Sequence, residues 1–247
     1  MTNLHFLLPM AAAFFAGAMN SVAGGGSFLS FPALVFAGVP AISANATNNA
    51  AMWVGTIGSA RGYKEEIAEQ RRLLWPVVSV SVVGALIGSC LLLVTPAAVF
   101  QRLIPWLLLF ATTVFALSPR LIRAGPEIPR HAPWQIALQF VVAIYGGYFG
   151  AGMGILMLAV LAFSGFPNFN AQNAVKNVLS VSINGVALIP FAIARIVDWR
   201  FAVPMAAIAL LGGYFGARFF RRLPQPVSRA VVIAIGTAMT IAFFLRR

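Results

Sequence analysis

Acidic residues are scarce: the 247-residue chain has 5 Asp and Glu against 17 Lys and Arg, and only 9% of it is charged. Soluble domains need roughly 25% charged residues to stay solvated. This chain cannot cover its surface with polar groups, which excludes an ordinary soluble domain. The acids Glu65, Glu66, Glu69, Glu127 and Asp198 all fall in loops or at the ends of apolar segments. None sits centrally in an apolar run, where a proton- or sodium-driven carrier often keeps a carboxylate. The single cysteine, Cys90, excludes an intrachain disulfide and, lying inside an apolar run, reads as a small core hydrophobe. His5 and His131 are far apart in sequence, and with one thiol they do not compose a metal site. No glycine-rich stretch ends in Gly-Lys-Ser or Gly-Lys-Thr, so a phosphate-binding loop is absent. No nucleophile and base pair stands out. The sequence therefore argues against an enzyme, a metal centre and a cofactor.

Apolar sequence is what the chain has instead: 60% hydrophobic, with a mean hydropathy of +0.89. Apolar segments run over 5–38, 41–60, 73–94, 98–118, 134–164, 173–194, 201–217 and 226–245. A spanning helix needs about 20 such residues, so the sequence predicts an all-α membrane protein of about eight transmembrane segments. The start, MTNLHFLLPMAAAFFAGA, lacks a basic leader region and reads as retained structure. The net charge of +12 comes from basic residues in the gaps: Arg61, Lys64, Arg71 and Arg72; Arg120, Arg123 and Arg130; Arg218, Arg221, Arg222 and Arg229. Loops rich in Lys and Arg mark the cytoplasmic side, and this reading is preferred to nucleic-acid binding.

Two segments are too long for one helix and are cut by glycine: 5–38 at Gly24-Gly25-Gly26, and 134–164 at Gly146, Gly147, Gly150, Gly152 and Gly154. Glycine costs a helix about 1 kcal/mol relative to alanine, so both helices should break there. The two occupy matching places in a repeat with the constant offset of 128 residues that separates Asn49 from Asn177. At that offset Gly24 meets Gly152, Gly26 meets Gly154, Asn45 meets Asn173, Arg72 meets Arg200, Gly84 meets Gly212 and Gly88 meets Gly216. This divides the chain into a first repeat, 1–118, a joining loop, 119–133, and a second repeat, 134–247. If each broken segment crosses fully, the repeats are parallel. If each re-enters at its glycines, they are inverted. Only the inverted path gathers loops 61–72, 119–133 and 218–229 on one side, so the distribution of basic residues favours it, with both termini outside.

Paired broken helices in a membrane repeat point to a transport site. A helix restarting after such a break offers free N–H groups and a positive dipole end, which suit an anion. The candidates are Gly24, Gly25, Gly26 and Ser27, with Gly150, Gly152 and Gly154. The alternative is that the glycines only let helices pack closely. A second pair of clusters is Asn45, Thr47, Asn48 and Asn49, matched by Asn173, Lys176 and Asn177. Asparagine is a poor helix former and lysine is costly in lipid. Within each cluster the asparagines four apart share a helix face. Lys176 would supply a fixed positive charge and the amides would orient an anion. The competing role is helix N-capping and interhelical hydrogen bonding, which is also the reading for Asn20 and Asn184.

These residues resemble the TauE/SafE family of membrane permeases, also grouped as toluenesulfonate uptake permeases. The likeness is carried by 16–27 (AGAMNSVAGGGS), Phe31 to Leu34 and Asn45 to Asn48. In the second half it is carried by 145–154 (YGGYFGAGMG), Asn173 to Asn177 and Val197-Asp198-Trp199. The resemblance implies a bacterial inner-membrane protein that exports, or in some members takes up, sulfite or small organosulfonates. Cation-coupled uptake of an organosulfur anion and a non-transporting scaffold are the rival readings. Expected partners are a small anion, the bilayer and room for a homodimer, with no nucleic acid. The membrane potential is worth about 2.3 kcal/mol per charge per 100 mV. A negative interior expels anions, so a carrier without a membrane-depth carboxylate leans towards export.

Overall fold

Glycine decides where the long apolar segments stop being helical. The computed structural model describes residues 3–22, 24–123, 133–162, 169–219 and 225–245. Among these are ten α-helices and no strands. The first broken segment becomes α1 (Asn3–Val22) and α2 (Ser27–Phe36), and the second becomes α6 (Pro133–Tyr148) and α7 (Met153–Ala162). The remaining helices are α3 (Ala41–Arg61), α4 (Lys64–Val94), α5 (Ala97–Arg123), α8 (Phe169–Ile193), α9 (Trp199–Phe219) and α10 (Gln225–Leu245). At ten residues each, α2 and α7 are about 15 Å long, half the hydrocarbon thickness. Leu74–Val94, Ala97–Leu117 and Asn170–Ile193 are long and apolar enough to cross a membrane outright.

Three expectations need correction. The stretch 61–72 is not a loop: the connection is only Gly62-Tyr63, and α4 starts at Lys64. Lys64 to Arg72 is rich in good helix formers, with Glu65 and Glu66 in the first turn where they complement the helix dipole. Polarity marks where the chain leaves lipid, not where the helix ends. Cys90 is exposed on the apolar exterior and is no core residue. The asparagine clusters do not cap helices either: α3 is capped by Pro40, and Asn45 lies one turn inside it. Much of the 119–133 loop, with Glu127, Arg130 and His131, and the basic residues Arg221 and Arg222 lie outside the described residues.

Helix directions follow from end-to-end contacts. The rings of Phe6 and Phe201 stand 5.5 Å apart. Ser43 Oγ donates to Ile196 O at 2.7 Å, and Thr47 Oγ1 accepts from Asp198 N at 2.9 Å. The first turns of α1, α3 and α9 therefore share one end of the molecule. Towards the other end Gly216 lies on Ala18, and Gly213 lies beside Ser59, so the three helices run the same way. Because α3 starts where α1 starts, α2 must carry the chain back to that end. In the same manner Gly84 packs on Phe140 and Ala143, and Gly88 on Ile144 and Tyr148, so α4 and α6 run together.

The main packing crosses between the halves. α1 and α3 pack on α9, and α6 and α8 pack on α4. Two apolar clusters fill the interior, one around Phe28, Phe31, Phe100, Phe149 and Phe191, the other around Met157, Leu179 and Ile183. The exterior carries Leu86, Ile87, Leu91, Phe110, Val203, Leu211 and Phe215 exposed. That surface suits lipid, with exposed Trp134 and Trp199 at helix starts where the membrane interface favours them.

Candidate substrate-binding site

Both helix breaks depend on backbone that only glycine adopts freely. Gly24 and Gly25 have φ of 73° and 84°, and Gly150 and Gly152 have φ of 72° and 81°. The two breaks meet: a Cβ on Gly24 would stand 3.1 Å from the carbonyl carbon of Gly154. Each is tied down locally. Asn20 Oδ1 accepts from Gly26 N at 2.8 Å, and the Tyr145 hydroxyl donates to Ala151 O at 2.7 Å.

Between the breaks, α3 and α8 enclose a cavity of about 30 Å³, room for one or two water molecules. Its lining includes ten of the sequence-predicted residues: Gly24, Gly25, Ser27, Asn48, Asn49, Gly150, Gly152, Gly154, Lys176 and Asn177. Four predicted residues stand outside it. Gly26 packs under the Ala16 backbone. Asn45 Nδ2 donates to Tyr148 O at 3.0 Å. Thr47 meets Asp198 at the end of the bundle. Asn173 Oδ1 accepts from Lys176.

Asn20, Met52, Thr56, Phe149, Met153, Ser180 and Asn184 also line the cavity. Pattern could have found several of them. Asn48, Asn49, Met52 and Thr56 fall on one face of α3 at spacings of three and four, and Lys176, Asn177, Ser180 and Asn184 repeat that face on α8 at the same 128-residue offset. At the other two places no amide is matched between the halves, since Met52 aligns with Ser180 and Thr56 with Asn184, so a search for paired amides passes over all four.

Lys176 is 2% exposed and lines this cavity. Its Nζ donates to Asn20 O at 2.9 Å and to Asn173 Oδ1 at 3.0 Å. An ammonium has three hydrogens, so one remains for the cavity. Among the described residues no carboxylate lines the cavity, and a buried cation without a partner is strongly unfavourable. The carbonyl it binds ends α1, and the equivalent carbonyl of Tyr148 at the end of α6 is bound by Asn45. Side chains from the opposite half thus occupy carbonyls at the negative ends of α1 and α6. The N-cap of α2, Gly26, makes no side-chain cap hydrogen bond, which leaves a positive dipole end at the break. Further amides and hydroxyls are already engaged: Ser30 Oγ donates to Asn48 Oδ1, and Asn49 Nδ2 donates to Asn184 Oδ1 at 3.1 Å. Among the described residues no cluster of three potential metal ligands occurs. Chemically, the arrangement offers donors and one cation to a small acceptor-rich anion.

Comparison with known proteins places the chain among membrane transporters. The family model described as sulfite exporter TauE/SafE matches residues 9–243. A probable membrane transporter protein of a Sinorhizobium species is 26% identical over 236 residues, covering 93% of this chain and 88% of its own length. One from Haemophilus influenzae is 25% identical, covering 92% and 89%. The probable membrane transporter protein YfcA of Escherichia coli K12 is 26% identical, covering 92% and 85%. No solved structure matches the chain.

Proposed function

The chain belongs to the sulfite exporter TauE/SafE family of membrane transporters, and from that premise we propose that it carries sulfite or a small organosulfonate across the bacterial inner membrane, in the export direction. The observation that carries this reading is Lys176: a buried ammonium in a polar cavity that, among the described residues, no carboxylate lines. A small oxyanion neutralises it and accepts from its remaining hydrogen, from Asn177 and from backbone N–H groups at the two breaks. The start of α2 adds dipole charge of the right sign.

Two inverted repeats, 1–118 and 134–247, supply the means of access. The shared direction of α1, α3 and α9, and of α4 and α6, supports that arrangement. The cavity has room for one or two waters, so loading a larger anion requires the halves to part at the breaks. The potential then sets direction, expelling a monovalent anion by about 2.3 kcal/mol per 100 mV and a divalent one by about twice that.

The test is flux of radiolabelled sulfite from proteoliposomes under an imposed potential. The native protein should move sulfite with a rate that follows the potential. Lys176→Ala, still monodisperse in detergent, should slow it at least about tenfold, or about 1.4 kcal/mol. Unchanged flux in that variant would remove the lysine from the site. A requirement for sodium would favour cation-coupled uptake, and a folded protein that moves neither sulfite nor sulfonates would favour a scaffold.

A further inference from the structure

We propose that the cavity selects a singly charged oxyanion that also carries one O–H donor, a deepening that rests on the anion-transport reading above. The charge half of this rests on the lining. Among the described residues, Lys176 is the only lysine, arginine, aspartate or glutamate around the cavity. One cation balances one negative charge, and a dianion would keep an uncompensated charge in a buried, water-poor space.

The donor half rests on two buried atoms that lack partners. Asn177 Nδ2 and Asn49 Oδ1 each have no hydrogen-bond partner, although their residues are 1% and 6% exposed and both line the cavity. Buried polar groups left unpaired cost stability. These two occupy equivalent positions in the two halves, yet one is a donor and the other an acceptor. Asn49 is oriented with its Nδ2 donating to Asn184 Oδ1 at 3.1 Å, which leaves Oδ1 as the unpaired atom. A fully deprotonated oxyanion offers acceptors only. It would satisfy Asn177 and Lys176 and leave Asn49 Oδ1 empty. An oxyanion with one hydroxyl satisfies all three: its oxygens accept from Lys176 Nζ and Asn177 Nδ2, and its O–H donates to Asn49 Oδ1. Two sources share that chemistry, an inorganic hydrogen-oxyanion and a hydroxyl-bearing sulfonate.

Matched anions at one pH test the idea. Hydrogencarbonate and nitrate are similar in size and charge and differ in the hydroxyl. 2-Hydroxyethanesulfonate and ethanesulfonate differ likewise, and sulfate is a donor-free dianion. Each is titrated twice, as a competitor of radiolabelled sulfite flux and as a stabiliser of the detergent-solubilised protein against heat. The hydroxyl-bearing member of at least one pair should act at a concentration about tenfold or more below its partner, and sulfate should be weakest. Discrimination in the inorganic pair alone assigns the source to a hydrogen-oxyanion, and in the organic pair alone to a hydroxysulfonate. Asn49→Leu should erase the difference, and if it does not fold, the native protein's pairs decide alone. Equal action within both pairs, sulfate as effective as the hydroxyl-bearing anions, or no stabilisation by any of them would overturn the proposal. Stabilisation without sulfite flux would instead uphold selectivity and count against the transport reading.

Discussion

At the scale of single residues, the site depends on a few positions where one atom has no substitute. Gly152 combines a φ of 81° with a Cβ position 2.7 Å from Ala111 Cβ and 2.9 Å from Phe28 Cζ. Gly38 has a φ of 90° with nothing within 4 Å. Gly38→Ala should therefore cost only backbone strain, about 1 kcal/mol, and Gly152→Ala distinctly more. Thermal unfolding of both variants in one detergent checks the order, and equal losses would mean that the break relaxes around the new methyl. Asn45 supports the cavity from outside it. Asn45→Ala strips the Tyr148 carbonyl of its donor and should lower stability by about 1–3 kcal/mol. The same unfolding experiment reads it.

At the scale of elements, the crossings between halves rely on backbone-to-backbone approach. Gly216 faces the Ala18 backbone where α9 meets α1, and Gly88 faces the Ile144 and Tyr148 backbone where α4 meets α6. Small residues allow such contact where lipid gives no hydrophobic drive between helices. Gly216→Val and Gly88→Val should each push a helix pair apart and cost about 1–3 kcal/mol or more. The close neighbour of Gly58 is the flexible end of Leu210, whose backbone stands off at 3.9 Å, so Gly58→Ala should be tolerated. Comparable destabilisation by all three, measured by unfolding, would show that the backbone crossings carry no special strain. The sequence repeat paired Gly88 with Gly216 by offset alone. It gave no sign that each would pack against the other half.

At the scale of the whole molecule, the directions of the helices set the topology. With the basic ends of the bundle in the cytoplasm, the turn at Gly62 lies inside, and the turns at Thr95 and Arg195 lie outside. In a Cys90→Ser background, Thr95→Cys and Arg195→Cys should react with a membrane-impermeant maleimide in spheroplasts. Gly62→Cys should react only after permeabilisation. Labelling in the opposite sense would invert the protein in the bilayer, and with it the direction assigned to export. Sides that disagree between Thr95 and Arg195 would break the inverted arrangement itself.

Composition, the 128-residue repeat and the paired glycine breaks were all legible in the sequence, because lipid and glycine act locally on the chain. Hydrophobic length fixes spans, and glycine clusters mark where a helix in lipid can stop. Lys176 and the asparagines stood out for the same local reason, since each is expensive inside an apolar run. What they touch was settled only by packing between the halves. Asn45 and Asn49 share a helix face by spacing, yet one binds Tyr148 O and the other faces the cavity. Met52, Thr56 and Ser180 became lining residues only because α3 and α8 turn those faces towards the breaks. Periodicity specifies that a helix has a face. Which neighbour the face meets depends on contacts between residues more than a hundred positions apart, and those exist only once the two halves have interlocked.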